Sequence, residues 1–255
     1  MKVSLRGENL KKHKSPRLTK YNIKVDRVKS KRFAFISDLH DFPNEPIVDI
    51  VKKIDPDAIL VPGDFIHNSK LYERGIEFLR MSATLAPTFF TLGNHEMKFC
   101  GDIVSLVKDT GAMLLDDTSV MLDGINIGGL TSGYKKGMEQ KRLGKTPAPN
   151  LKWLKKYSQE DGFKILLSHH PEYYAPYIKD LPIDIILSGH AHGGQVRLFG
   201  QGIIAPGQGF FPKYTHGIYD GRLIVSSGVG NQFIVPRINN PGEIIIININ
   251  GDKND

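Results

Sequence analysis

The chain has 255 residues, 40% of them hydrophobic and 24% charged, one cysteine, and a formal net charge of +7. That length suits a single α/β domain, and no apolar run approaches the roughly 18 residues that a membrane span requires. The lone Cys100 excludes an internal disulfide, is compatible with a reducing compartment and is expected to be a small buried residue. The N-terminus lacks the apolar core of a signal peptide, so a cytoplasmic location is expected.

The charge is uneven along the chain. Residues 1–32 hold twelve Lys/Arg against Glu8 and Asp26, a net of +10, while the remainder holds 22 basic and 25 acidic residues, a net of −3. The preferred reading of this arm is a solvated leader followed by an edge strand over residues 19–25. The alternative is peripheral contact with an anionic membrane surface or, as a weaker option, nucleic acid, driven by counterion release. The domain proper is placed at residues 33–255.

Within it, residues 33–36, 58–61, 88–92, 165–167 and 183–187 are short apolar runs that read as strands buried on both faces. Asn44-Glu45-Pro46, followed by Ile47, Ile50, Val51 and Ile54, reads as a capped amphipathic helix ending before Pro56. Further helices are expected over residues 70–82 and 102–108. Residues 120–127, with Asp123-Gly124 at the centre, have the composition of a hairpin with a tight turn. Residues 131–150 form a polar insert bearing Lys135, Lys136, Lys141, Arg142 and Lys145; it either overhangs a site and attracts an anion or is a solvated loop. In the loop-rich stretch 195–220, Phe199, Phe210, Phe211, Tyr214 and Tyr219 could line a groove, but packing onto the core is the expectation for most of them. A final apolar strand is expected over residues 244–249.

Short polar motifs stand at the ends of these runs: Asp38-Leu39-His40, Gly63-Asp64, Gly93-Asn94-His95-Glu96, His169, and Gly189-His190-Ala191-His192. Carboxylate, imidazole and amide-oxygen donors suit hard or borderline divalent ions, and in open α/β sheets ligands bind beyond the carboxyl ends of strands. Gly63, Gly93 and Gly189 stand where a chain leaving a strand sharply often needs glycine's freedom. By composition either His169 or His170 could be a ligand, and His67 and His216 read as surface or core histidines.

In their order these motifs resemble the calcineurin-like metallophosphoesterases, whose pattern is D-x-H, G-D, G-N-H-[DE], a lone His and G-H-x-H. The match runs from about Phe33 to His192, and its extension through Gly193-Gly194-Gln195 resembles a bacterial phosphodiesterase branch, as does the stretch from Ser227 to Glu243. The resemblance implies two facing mixed β-sheets flanked by helices, a four-layer αββα sandwich. It implies two divalent ions (Mn, Fe, Zn or Co), one held by Asp38, His40, Asp64 and His192, the other by Asp64, Asn94, His169 and His190. The H-x-P pattern favours His169 over His170, which is then a rim or neighbouring residue, and His95 matches the catalytic histidine outside the metal shell. The implied activity is hydrolysis of a phosphate ester, foremost a phosphodiester or pyrophosphate bond. A catalytically silent metal-binding scaffold, and an anionic-polymer binding module built on the basic arm, are the alternatives carried forward.

Overall fold

Alternation decides which core each strand feeds. The computed structural model describes residues 15–26, 28–40, 42–67, 72–99, 101–136, 145–231 and 236–251; Cys100 and the expectation attached to it lie outside these, as do residues 1–14 of the basic arm. In β2 (Lys31–Phe35), Phe33 and Phe35 enter one cluster while Ala34 and the following Ile36 enter another. The same division recurs in β3 (Ala58–Val61), where Ala58 and Leu60 face one way and Ile59 and Val61 the other. Successive side chains of a strand point to opposite faces, so an unbroken apolar run means that both faces are covered.

The first sheet also contains β1 (Arg17–Lys24), β4 (Thr88–Phe90), β5 (Met113–Leu114) and the C-terminal β16 (Glu243–Asn250), in the order β1-β16-β2-β3-β4-β5. From β2 to β5 the neighbours are parallel; β16 is antiparallel to β2 and parallel to β1. The second sheet has the order β14-β15-β9-β8-β7-β6, from β6 (Thr118–Leu122), β7 (Ile125–Leu130), β8 (Phe163–Ser168), β9 (Ile185–Ser188), β14 (Gly217–Tyr219) and β15 (Leu223–Val225). Between β9 and β14 run two small hairpins, β10 (Arg197–Leu198) with β11 (Gln201–Gly202), and β12 (Ile204–Ala205) with β13 (Gly209–Phe210).

The sheets pack face to face through Phe33, Phe35 and Leu60 on one side and Ile127, Ile165 and Leu187 on the other. Helices α1 (Asn44–Ile54) and α2 (Tyr72–Ala83) cover the outer face of the first sheet through Ile47, Val51, Ile76 and Leu79. Beside them lie the single-turn helices α3 (Asn94–Lys98) and α4 (Ile103–Val107). Helix α5 (Leu151–Ser158), a helix absent from the sequence expectations, covers the second sheet with Leu154 and Tyr157. Asn150 caps it by accepting a hydrogen bond from Trp153 N at 3.1 Å. This is the expected αββα sandwich.

The expected strands, the hairpin at Asp123-Gly124 and the helix after Asp102 all form, and β1 is an edge strand as the preferred reading of the arm required. One cap differs. Asn44 is the first helical residue rather than the cap of α1; Pro43 precedes it with no side-chain cap, and Asn44 Nδ2 instead donates to Arg74 O at 2.9 Å. The hydrogen bond to a neighbouring helix competes with local capping and wins. Among the described residues no helix is long and apolar enough to cross a membrane.

Candidate metal centre

The motifs leave β2, β3, β4, β8 and β9 at one end of the sandwich, and the backbone there is bent to aim them. Asp38, His40, Asp64, His190 and His192 have φ between 45° and 61°, a region that residues other than glycine seldom occupy outside functional sites. Of the three motif glycines only Gly63 needs conformational freedom, with φ 113°. Gly93 and Gly189 are needed for space, because a Cβ at either would strike the carboxylate of Asp64 or Asp38, respectively.

Two donor clusters result. In the first, His40 Nε2 and His192 Nε2 stand 3.3 Å apart, and Asp38 Oδ1 lies 3.9 Å from the former and 3.5 Å from the latter. In the second, His169 Nε2 is 3.0 Å from Asp64 Oδ2, and His190 completes the group. Asp38 Oδ1 is also 4.0 Å from His169 Nε2, so the clusters adjoin. Asn94, the first residue of α3, is buried between Gly93 and His95, and His95 N donates to Asp64 Oδ1 at 2.9 Å. The structure therefore brings together six of the seven expected ligands and His95, with Asp64 grouped beside His169 and His190 rather than with Asp38 and His40, while Asn94 is buried next to His95 in the chain.

The donor set fits divalent ions. Burial holds His40, His190 and His192 well below the usual imidazole range, so all three are neutral and have lone pairs to offer. Ligand nitrogens about 2.1 Å from an ion at tetrahedral angles stand about 3.4 Å apart, close to the spacing of the first cluster. Among the described residues the buried His190 Nε2 has no hydrogen-bond partner. Charge is unbalanced in the two clusters: burial and the neighbouring Asp64 push Asp38 up to about 6 against the pull of His169. Burial opposes charge on Asp64 and on His169, but their mutual attraction outweighs it, holding Asp64 well below the usual carboxylate range and raising His169 to about 9.

Two residues, His67 and Glu172, join the site that the sequence alone did not place there, and Glu96, the last position of its motif, gains a role that the motif did not name. His67, read as a surface or core histidine, presents its carbonyl to His95 Nδ1, and the two rings stack with centroids 5.8 Å apart. That bond fixes the Nδ1–H tautomer and leaves Nε2, 4.0 Å from Asp64 Oδ2, facing the cluster. Glu96 accepts from the backbone nitrogens of Gly93 and Asp64, both 2.8 Å, and Ile66 at 3.0 Å, joining the loops after β3 and β4. Glu172 lies 3.3 Å from His170 Nδ1 and 3.7 Å from His190 Nε2, and these two rings hold it down to about 2 although burial opposes its charge. His170 itself is fully buried, 2.7 Å from Ser132 Oγ, and so is a neighbouring residue and not a rim residue. His216 stays away from both clusters, beside Thr215.

The insert at 131–150 meets the site at both ends. Ser132 touches His170, the Tyr134 ring is 5.9 Å from that of His170, and Thr146 Oγ1 donates to Glu172 at 2.5 Å. Lys135, Lys136 and Lys145 are exposed, while Lys141 and Arg142 lie outside the described residues. Arg237 Nη2 lies 3.3 Å from His192 Nδ1 and its Nη1 donates to Ser227 O at 2.8 Å, so the C-terminal stretch also brings a cation to the first cluster.

The calcineurin-like phosphoesterase family model matches residues 31–194, the span that carries every one of these motifs. The chain belongs to that family. It is 31% identical to an uncharacterized metallophosphoesterase of Campylobacter jejuni over 94% of this chain and 65% of that protein. It is 25% identical to phosphodiesterase YaeI of Escherichia coli over 79% of this chain and 76% of that one. A UDP-2,3-diacylglucosamine pyrophosphatase of Chlamydia muridarum is 34% identical, over 38% of this chain and 26% of its own length. The chain thus spans somewhat under two thirds of the Campylobacter relative's length.

Proposed function

We propose that the chain hydrolyses a phosphodiester or pyrophosphate bond with the help of two divalent ions, drawn from Mn, Fe, Zn and Co. The observation that carries this is the convergence of neutral His40 and His192 with Asp38 at 3.3–3.9 Å, next to a second such cluster and a non-ligand histidine. Asp38, His40, Asp64 and His192 would hold one ion, and Asp64, Asn94, His169 and His190 the other, with Asp64 shared. The ions would neutralise charge on the phosphate and acidify a bound water toward neutral pH.

The chain's own chemistry is divided among the remaining residues. With Nδ1–H committed to the His67 carbonyl, His95 can carry a second proton on Nε2 and pass it to the departing oxygen. Burial and Lys98 lower the affinity of His95 for that proton while Asp64 opposes them, which favours its release. Glu96 fixes the loops that carry Asp64 and Asn94, and the ends of the 131–136 and 145–150 segments shield Glu172 from water. Support from relatives is of the same kind, since one bears the name of a phosphodiesterase and another of a pyrophosphatase.

The test is turnover of a panel of aryl diesters, monoesters, cyclic nucleotides and sugar-nucleotide pyrophosphates by protein loaded in turn with Mn, Fe, Zn and Co, with elemental analysis of each preparation. Metal-dependent hydrolysis of diesters or pyrophosphates is expected. Two bound ions with no turnover of any ester would leave a metal-binding scaffold instead.

A further inference from the structure

The two hairpins that follow His192 carry a patch the hydrolytic reading leaves unused. Phe199, in the turn between β10 and β11, is fully exposed at 110%, Phe211 is 71% exposed, Phe210 67% and Leu198 52%. Scattered apolar side chains on a surface need no explanation, but a cluster does. These four fall within residues 198–211, on hairpins linked by Gln201 Nε2 donating to Pro212 O at 3.0 Å. Phe199 and Phe211 both have φ 50°, a conformation that bulky residues rarely adopt and that asparagine adopts readily. Nothing in the packing of the fold rewards a phenylalanine at either position.

Lys213 follows the patch, exposed, with Nζ 5.1 Å from the Tyr214 ring, and residues 193–219 include no Asp or Glu. Arg197, which opens the first hairpin, is turned inward, donating to Gly193 O at 3.0 Å and to Ser227 Oγ at 2.6 Å. A second copy of the chain would set Lys213 against its like in a two-fold pair; anionic headgroups complement it, and an apolar tip flanked by lysine with no acidic side chain beside it suits interfacial membrane binding.

We infer that the β10–β11 and β12–β13 hairpins dock the protein on an anionic phospholipid bilayer, with Phe199, Phe210 and Phe211 entering the interface and Lys213 meeting the headgroups. The turn of the second hairpin sits against the metal centre, since a Cβ on Gly207 would strike Glu172. Docking therefore brings the centre close to phosphate groups carried at a membrane surface; that consequence rests on the proposed function, whereas docking itself does not.

The test is co-sedimentation of the full chain with phosphatidylcholine vesicles with and without phosphatidylglycerol, comparing the wild type with the Phe199→Asn/Phe211→Asn variant. Asparagine suits the backbone at both positions, and Phe210→Ser serves as a second variant should the first fold poorly by circular dichroism. The wild type is expected to pellet with the anionic vesicles and the variant to partition roughly tenfold more weakly, the effect of withdrawing one to two partly inserted rings, with turnover of a soluble aryl phosphodiester unchanged. Absence of wild-type binding, or equal pelleting of wild type and variant, overturns the inference. So does a wild-type dimer that the variant dissolves, which assigns the patch to a second copy, or loss of RNA binding without loss of vesicle binding, which assigns it to nucleic acid. Pelleting needs no turnover, so failure of docking and failure of the hydrolytic reading are told apart.

Discussion

Three adjacent parallel strands of the first sheet, β2, β3 and β4, deliver both aspartates, the asparagine and His95, whereas β8 and β9 of the second sheet deliver imidazoles alone. Each half also sets beside its ligands a glutamate that is not an expected ligand, and the two are used differently. Glu96 fastens backbone, accepting three main-chain N–H groups from the loops of the first sheet. Glu172 fastens side chains, facing His170 and His190 of the second. The first half supplies the negative charge that attracts ions and needs its loops held rigid to keep two carboxylates close; the second supplies rings whose orientation must be set from behind.

Removing the charge at the junction should have the largest effect. Asp64 is the carboxylate most entangled with both halves, since His169, His95 and His40 all act on it. Asp64→Asn keeps the shape and loses the charge, so both ions and all measurable turnover are expected to go together. Elemental analysis and an aryl phosphodiester assay check this, and a variant that keeps two tightly bound ions contradicts the shared role. Next comes His95, which belongs to the first half but holds a proton instead of an ion. His95→Ala is expected to lower turnover by about 10²–10⁴, the range for a lost acid–base group, with both ions retained; unchanged turnover would remove His95 from the mechanism.

How much of this was legible in the sequence follows the same division. The first-sheet ligands stand two to four residues beyond unmistakable apolar runs, and their motifs name themselves in order. Glu96 occupies the last position of its motif, yet only the folded chain shows that its partners are Gly93, Asp64 and Ile66. His67 and Glu172 gain their roles from tertiary approach, His67 across 28 residues to His95, and no spacing rule reports that. The start of α1 failed as a cap because Asn44 found a better partner in Arg74. Helix α5 was hidden behind a polar insert whose ends turn inward. The aromatic stretch misled for a physical reason: Tyr214 is buried, as packing required, but the composition of a short hairpin cannot tell which side faces solvent, and Phe199, Phe210 and Phe211 face out.

The smallest effect sharpens the comparison most, because it separates the two glutamates. Glu172→Gln leaves an isosteric group beside His190 but replaces a carboxylate held at about 2 with a neutral amide, so the ring loses the negative charge 3.7 Å from its Nε2. Loss of such a carboxylate behind a ligating histidine typically weakens metal affinity by about 10–100-fold, and the loss should fall on one ion, that of the His169–His190 cluster. Glu96→Gln should do the reverse. Burial and Asp64 raise Glu96 to about 8, so little charge is lost; the amide nitrogen instead faces main-chain N–H groups from which it cannot accept, at about 0.5–1.5 kcal/mol for each bond lost, so a lower melting temperature is expected with both ion affinities close to those of the wild type. Calorimetric titration of metal-free protein with Mn, alongside thermal melts, reads both variants. If Glu172→Gln weakens the two ions equally, or if Glu96→Gln lowers affinity without lowering the melting temperature, then the halves are not divided between side-chain and backbone support, and the carboxylates act as one charge reservoir for the whole centre.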